Sequence, residues 1–255
     1  MTSPKQFFDE NGYYVAKGVF SKAELAHLTA EFDRIVDQLL NSGEEVQVRW
    51  GGGPIEKMGG KDTVFVHTHN VQSFSAAWLR AFQQEKFLNV AQEFLGPNIV
   101  LHHSKLFQKP AEKGAPFPTH QDWSYFPTVK DTMIAGVIYI SEVTEDMGCF
   151  RVYPGSHKLG RLPQTSGQVD NEVLEKYPID GALALTGEPG DVVFFHYFTL
   201  HGSMPNRSSK VRKSVLVQMH AGEDRVEDEN RHPNAKLVLR GWNSAATRNT
   251  VNAVG

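Results

Sequence analysis

The residues with the clearest chemical potential lie in Thr119-His120-Gln121-Asp122-Trp123-Ser124-Tyr125-Phe126. Its centre is His120-x-Asp122. On an extended strand, residues two apart share a face, so an imidazole and a carboxylate would emerge side by side. That pair is two thirds of a facial metal site, and a second histidine would complete a 2-His-1-carboxylate triad. Such a triad suits Fe(II) and keeps positions open for substrate and oxygen. By itself His-x-Asp is a common chance pattern, and its plain alternative is a solvated turn before a strand. Far downstream lies a second histidine-bearing stretch, Phe194-Phe195-His196-Tyr197-Phe198-Thr199-Leu200-His201-Gly202-Ser203, followed by Asn206 and Arg212. The elements between must bring the two stretches together.

Residues 6–12 read as a short helix and 13–20 as a strand. Ser21-Lys22-Ala23-Glu24 has the form of a capping box. It opens a helix whose apolar stripe is Leu25, Leu28, Phe32, Val36, Leu39 and Leu40, with Gly43 as the stop. Residues 43–62 are glycine-rich without a Walker lysine pattern, so they read as a loop able to lie over a site. Residues 75–95 read as helix, ended by Gly96-Pro97. From residue 98 the texture changes to short strands: 99–109, 133–140, 150–153, 183–185, 191–195 and 212–220, with 236–239 as a last one. The segment 187–190 reads as the turn joining two of them. Many short strands with Gly/Pro turns predict a mainly β fold with flanking helices, a double-stranded β-helix (jelly roll, cupin-like). We expect one domain over 1–255: a helical part to about 97, a jelly-roll core over about 98–220, and an extension from 221 to 255.

At 255 residues and a net charge of −3, with Lys and Arg scattered, the chain lacks the basic surface of a nucleic-acid binder. Its single cysteine, Cys149, excludes an internal disulfide and a thiol-rich metal site, and is read as a small buried residue. No stretch has the apolar length of a membrane span, and the start carries no charged, then apolar, leader. These features predict a cytoplasmic enzyme with a small-molecule substrate and no membrane or nucleic-acid partner. Oligomeric state is not readable.

The chain resembles the phytanoyl-CoA dioxygenase family of Fe(II)/2-oxoglutarate-dependent oxygenases. The matching elements are Gly96-Pro97-Asn98-Ile99, Lys109-Pro110, His120-Gln121-Asp122 with Tyr125-Phe126-Pro127, Gly148-Cys149-Phe150, Pro154-Gly155-Ser156-His157, Gly190-Asp191-Val192-Val193-Phe194-Phe195-His196, His201-Gly202-Ser203 and Arg212. They span residues 96–220 in the family's order, and Gly12-Tyr13 with its capped helix is also typical. The resemblance implies that His120, Asp122 and His201 hold Fe(II), and that 2-oxoglutarate and O2 are consumed with release of succinate and CO2. It makes Arg212, eleven residues past His201, the grip on the far carboxylate of 2-oxoglutarate, a task for which a guanidinium fork suits better than lysine. Hydroxylation of a small organic substrate is the expected outcome. Asp122 argues against the related halogenases, in which a small residue stands at that position.

Ser203 shares a face with His201 and offers a hydroxyl to a carboxylate. Ser214 and Gln218 lie on one face of the 212–220 strand, with Val215, Val217 and Met219 on the other. Lys105 departs from the usual family residue near 2-oxoglutarate. It pairs with a cosubstrate or substrate carboxylate, or carries its charge out of the strand. Asn70 is a further candidate for that pocket, and His103 either lines it or is a hydrogen-bonded core residue. His157 and His196 read as structural. Trp123 and Tyr125 point away from the metal if the strand continues, and reach substrate if it ends at Asp122. The rival readings are a cupin-type isomerase or ligand-binding metal protein, which would need neither Arg212 nor Ser203, and a catalytically degenerate relative. The loop 51–60, the segment 160–180 and the tail 223–255 are the expected seats of specificity.

Overall fold

Capping boxes open the first two helices. Ser3 and Gln6 cap Pro4–Asn11, and Ser21 and Glu24 cap Lys22–Leu40, as the sequence predicts for the second. In each, serine hydroxyl and N3 side chain satisfy two amides that a helix start otherwise leaves unpaired. The second helix buries Leu25, Leu28, Phe32, Ile35 and Val36. Its last turn differs from expectation: Leu40 is exposed, and Asn41 forms the C-cap ahead of Gly43. The computed structural model describes residues 2–45, 47–48, 58, 62–165, 168–227, 232 and 234–244. Of the glycine-rich stretch 43–62, expected as a loop over the site, all but residues 43–45, 47–48, 58 and 62 lie outside the described residues, and Gln47–Val48 is a short strand.

The expected helix over 75–95 is two helices, Ala76–Phe82 and Glu85–Leu95. The break has a local cause. Gln84 takes an extended backbone, and its side chain accepts from the Phe87 amide at 3.0 Å, starting a new helix.

The strands are β1 (Tyr13–Ala16), β2 (Gln47–Val48), β3 (Phe65–His69), β4 (Ile99–Lys109), β5 (Phe117–His120), β6 (Ile134–Tyr139), β7 (Phe150–Val152), β8 (Gln164–Thr165), β9 (Gln168–Val169), β10 (Leu183–Leu185), β11 (Val192–His196), β12 (His201–Ser203), β13 (Arg212–Ala221) and β14 (Leu237–Arg240). One sheet runs β1-β11-β6-β13-β4-β3-β2, with β14 also on β4. A smaller sheet runs β10-β7-β12-β5, and β8 and β9 pair alone. This is the jelly-roll arrangement, mostly antiparallel with flanking helices.

Three details depart from the sequence reading. The first strand stops at Ala16 because Lys17 and Gly18 turn to hold Asp191, the ammonium at 2.8 Å and the Gly18 amide at 2.9 Å. The turn 187–190 joins β10 and β11 but is no hairpin, since those strands lie in different sheets. The first hundred residues also supply β1, β2 and β3 to the large sheet. β3 carries no clear apolar alternation and was not anticipated.

Helices cover the outer face of the large sheet. Val215, Val217 and Met219 of β13, with Ile134 and Ile138 of β6, join Phe32, Trp78, Phe82 and Phe87 in one apolar core. Helix Glu85–Leu95 can lie this close because a Cβ on Gly136 would stand only 3.0 Å from the Phe87 ring. Between the sheets a second cluster, including Val137, Tyr139, Phe150, Val152, Val193 and Phe195, fills one end. The remaining space between the sheets is a cavity. Among the described residues, no helix is long and apolar enough to cross a membrane.

Candidate active site

The two histidines meet across a ladder. His120 ends β5, His201 begins β12, and they are directly paired in register with ring centroids 4.2 Å apart. Each Nδ1 lies 2.8 Å from a backbone carbonyl, Pro118 O for His120 and Thr199 O for His201. A carbonyl only accepts, so both Nδ1 atoms carry the proton and both lone pairs sit on Nε2. The two Nε2 atoms are each 3.6 Å from Asp122 Oδ1. That is too long for a hydrogen bond and short enough for a shared ion. Ligand atoms of the three residues all lie within 4.8 Å of one another, the one such His/Cys/Asp/Glu group among the described residues.

The electrostatics agree with the geometry. Burial pushes His120 down to about 3, helped by neighbouring His201, and pushes His201 down to about 4. Both imidazoles are therefore neutral donors near pH 7, the form a metal requires. Burial raises the Asp122 pKa, against the opposing pull of His120 and Lys105. With the two imidazoles neutral, the buried carboxylate has no charged partner in contact, and a divalent cation would compensate it. The donor set fits Fe(II).

Asp122 reaches this point by a route different from the one predicted. The strand ends at His120, and Asp122 has helical dihedrals, φ −86° and ψ −19°, before the turn Trp123–Tyr125. Gln121 causes the departure. Its buried amide donates to Gly160 O at 2.9 Å and Phe198 O at 2.6 Å, and accepts from Leu162 N at 3.1 Å. The Asp122 amide donates to Tyr197 O at 2.9 Å. The carboxylate is thus fixed by the segment that leads into His201. Since the chain leaves the sheet early, Tyr125 lines the cavity, while Trp123 donates to Leu162 O at 3.2 Å and packs under Arg161.

The cavity has a volume of about 260 Å³. The large sheet forms its floor as rows read from the register. Lys109 pairs with Arg212, Phe107 lies between His67 and Ser214, Lys105 lies between His69 and Leu216, and His103 pairs with Gln218. The small sheet is the roof, with Ser203 above the first row: Lys109 Nζ donates to Ser203 Oγ at 2.6 Å and Met204 O at 2.8 Å. Arg212 donates to Gly148 O. Gly148 has φ +66°, and a Cβ there would run into Met204 O, so only glycine brings this carbonyl to the guanidinium. Burial and adjacent Arg212 hold Lys109 well below the ordinary ammonium pKa. Among the described residues, Asp122 is the only carboxylate lining the cavity, and none pairs with Arg212, Lys109 or Lys105.

Of the residues singled out from sequence, His120, Asp122, His201, Ser203, Arg212, Lys105, His103, Ser214 and Gln218 line this cavity. Lys105 does not run outward: its ammonium lies 6.0 Å from the Phe107 ring centroid. Asn70 is not among the lining residues. It has φ 55°, and its side chain accepts from Gln72 at 3.2 Å. Asn206 ties together the carbonyls of Lys109, Pro110 and Lys210. His157 and His196 lie apart from the triad, His196 bonding Asp131 O at 2.9 Å and the Phe198 amide at 3.1 Å. His196→Ala is expected to leave iron stoichiometry unchanged while lowering stability by about 1–3 kcal/mol for its lost buried bonds; metal analysis beside a thermal melt checks both. Lys109, His67, His69 and His232 were missed by sequence reasoning. The alternation of His67 and His69 was the available signal, unused because β3 itself was not recognised.

Gly202 holds the ligand strands together. A Cβ there would meet Phe117 O at 2.4 Å and Pro118 O at 2.9 Å, both in β5. Gly202→Ala is therefore expected to force β5 from β12, costing about 1–3 kcal/mol and reducing iron occupancy. Retention of wild-type melting temperature and iron content would refute the argument.

The family model for phytanoyl-CoA dioxygenase (PhyH) matches residues 8–214. The chain is 29% identical over 231 residues to a probable alpha-ketoglutarate-dependent hypophosphite dioxygenase of Stutzerimonas stutzeri, covering 86% of this chain and 78% of that protein. It is 30% identical over 229 residues to the peroxisomal phytanoyl-CoA dioxygenase of Homo sapiens, covering 83% of this chain but only 65% of that enzyme's length. Among solved structures, EctD from S. alaskensis with 2-oxoglutarate and 5-hydroxyectoine superposes with a TM-score of 0.72 at 26% identity, covering 93% of this chain and 83% of that one.

Proposed function

The chain belongs to the phytanoyl-CoA dioxygenase family and is a non-haem Fe(II)/2-oxoglutarate-dependent dioxygenase, and on that premise we propose that His120, Asp122 and His201 hold the iron. The observation that carries this assignment is the pair of Nε2 atoms, each 3.6 Å from Asp122 Oδ1, with both Nδ1 protons committed to carbonyls. Those carbonyl bonds fix tautomer and ring orientation. Bound there, iron(II) would supply the oxidative chemistry that consumes O2 and 2-oxoglutarate, releases succinate and CO2, and hydroxylates the substrate.

The chain's own residues do the binding and orienting. Arg212 stands on the cavity floor and takes the far carboxylate of 2-oxoglutarate in a two-pronged grip. Ser203 Oγ, already accepting a hydrogen bond from Lys109, donates its own to the same carboxylate. Phe107, Phe117 and Phe150 line this end and exclude water, which strengthens each charge interaction inside. The similar proteins are named for hypophosphite, ectoine and phytanoyl-CoA, so membership leaves the substrate open beyond a small molecule.

The direct test is an anaerobic titration of the apo-protein with Fe(II) and then 2-oxoglutarate. A weak visible charge-transfer band is expected for the wild type and not for His201→Ala. A folded wild-type sample that gives no band would overturn the assignment.

A further inference from the structure

The polar groups lining the cavity divide into two sets along β4. Arg212, Lys109 and Ser203 stand at one end and belong to 2-oxoglutarate in the reading above, on which this inference rests. Lys105 is four residues from Lys109 on the same strand face, about 13 Å away. It lines the same cavity as Asp122, whose charge opposes the lowering of its pKa by burial. Around it are His69, paired with it across the ladder, His67 one row back, and His103 and Gln218 one row forward. His232 stacks on His103, rings 5.1 Å apart and 7° from parallel, with its Nδ1 3.2 Å from His69 Nε2.

Three features of this end ask for a ligand. Gln218 is fully buried, and neither its Nε2 nor its Oε1 has a hydrogen-bond partner; His67 Nδ1 is in the same condition. Buried polar groups left unpaired are rare and costly, and these flank Lys105 on both sides. The second feature is charge. Iron(II) and Arg212 are offset by Asp122 and the two carboxylates of 2-oxoglutarate, while burial and Arg212 push Lys109 toward the neutral amine. Burial lowers the Lys105 pKa against the pull of Asp122. With Asp122 the only described carboxylate lining the cavity and committed to the ion, an oxyanion beside Lys105 would supply the counter-charge its ammonium lacks. The third is the character of the surrounding imidazoles. Burial pushes His69 down to about 4 and His232 down to about 3, so they surround Lys105 as neutral hydrogen-bonding groups and add no competing charge.

We propose that this end is the substrate site and that it takes a small oxyanion: a substrate carrying a phosphonate or carboxylate head group seated on Lys105 Nζ, with His67, His69 and Gln218 bonding its oxygens. A lysine is a point charge that accepts either geometry, unlike the arginine fork at the other end. The head group is thereby held across the triad from Arg212, with the rest of the substrate directed to the iron.

The test is calorimetric titration of the anaerobic Fe(II)/2-oxoglutarate enzyme with methylphosphonate, propionate and the neutral analogues dimethyl methylphosphonate and propionamide. At least one anion is expected to bind at least tenfold tighter than its neutral analogue, and the better of the two identifies the head group. Lys105→Gln should weaken that anion at least tenfold and leave 2-oxoglutarate affinity within twofold. Gln218→Leu, which removes the unpaired amide, should raise the melting temperature while weakening the anion threefold or more. Equal binding of anion and neutral analogue, binding of neither anion, or a Lys105→Gln variant that loses 2-oxoglutarate and keeps the anion would overturn the proposal. Failure of the wild type to bind 2-oxoglutarate would instead bring down the earlier assignment.

Discussion

Asp122→Ala is expected to abolish hydroxylation, with turnover reduced by more than a hundredfold, while the protein stays folded. The carboxylate is one of only three protein groups proposed to hold the ion, and it alone carries charge. Without it two neutral imidazoles face a divalent cation, and the charge balance of the site changes by one unit. The apo variant should melt no lower than apo wild type, because a buried carboxylate lacking a cation is a cost of the empty site. The rise in melting temperature that Fe(II) gives the wild type should vanish. Iron content, succinate release and the two melts read these separately. Retained hydroxylation would remove Asp122 from the iron site.

Arg212→Ala is expected to have the second largest effect, this time on the cosubstrate. Removing one partner of a desolvated charge pair costs on the order of 2–5 kcal/mol, equivalent to roughly thirtyfold to several-thousandfold in the 2-oxoglutarate requirement. Iron stoichiometry should hold, since Arg212 enters from β13 and touches none of the three ligands. Arg212→Lys should recover only part of the loss, because one ammonium cannot reproduce the two-pronged contact. The check is the 2-oxoglutarate dependence of the charge-transfer band. An unchanged requirement would transfer the carboxylate to another hydrogen-bond donor, with Lys109, 2.6 Å from Ser203 Oγ, first in line.

The sequence made much of this site legible, though not always by the right reasoning. His120 and Asp122 were found by their spacing, but strand alternation does not explain their meeting. Gln121 turns inward, ends β5 and swings Asp122 round on a turn. His201 and Arg212 came from the resemblance, because nothing local says that β12 and β13, close in sequence, belong to opposite sheets. The inner face of β13 was readable because polar Ser214 and Gln218 alternate with Val215, Val217 and Met219. Lys109 was not, since lysine is presumed exposed and only the fold shows it 2% exposed. His67 and His69 were hidden for a different reason. Phe65–His69 alternates aromatic, aliphatic and polar residues without a clear apolar face, so its membership in the sheet depends on pairing with β4. The helix break at Gln84 belongs to the same class, a local cap winning over a continuous apolar pattern.

The rows on the cavity floor also bear on how such a protein can be retargeted. The groups assigned to iron and cosubstrate come from β5 and the turn that follows it, from β12, β13 and the far end of β4, strands drawn from both sheets. Much of the other end comes from β3, toward one margin of the large sheet, and from His232 in the tail. The reactive half and much of the recognising half are therefore separable pieces of chain, meeting along β4 and β13. Libraries varied at 67, 69 and 232, with 120, 122, 201 and 212 held fixed, would search new substrates on an unaltered oxidising centre, and the same partition lets natural divergence change the molecule attacked without reinventing the attack.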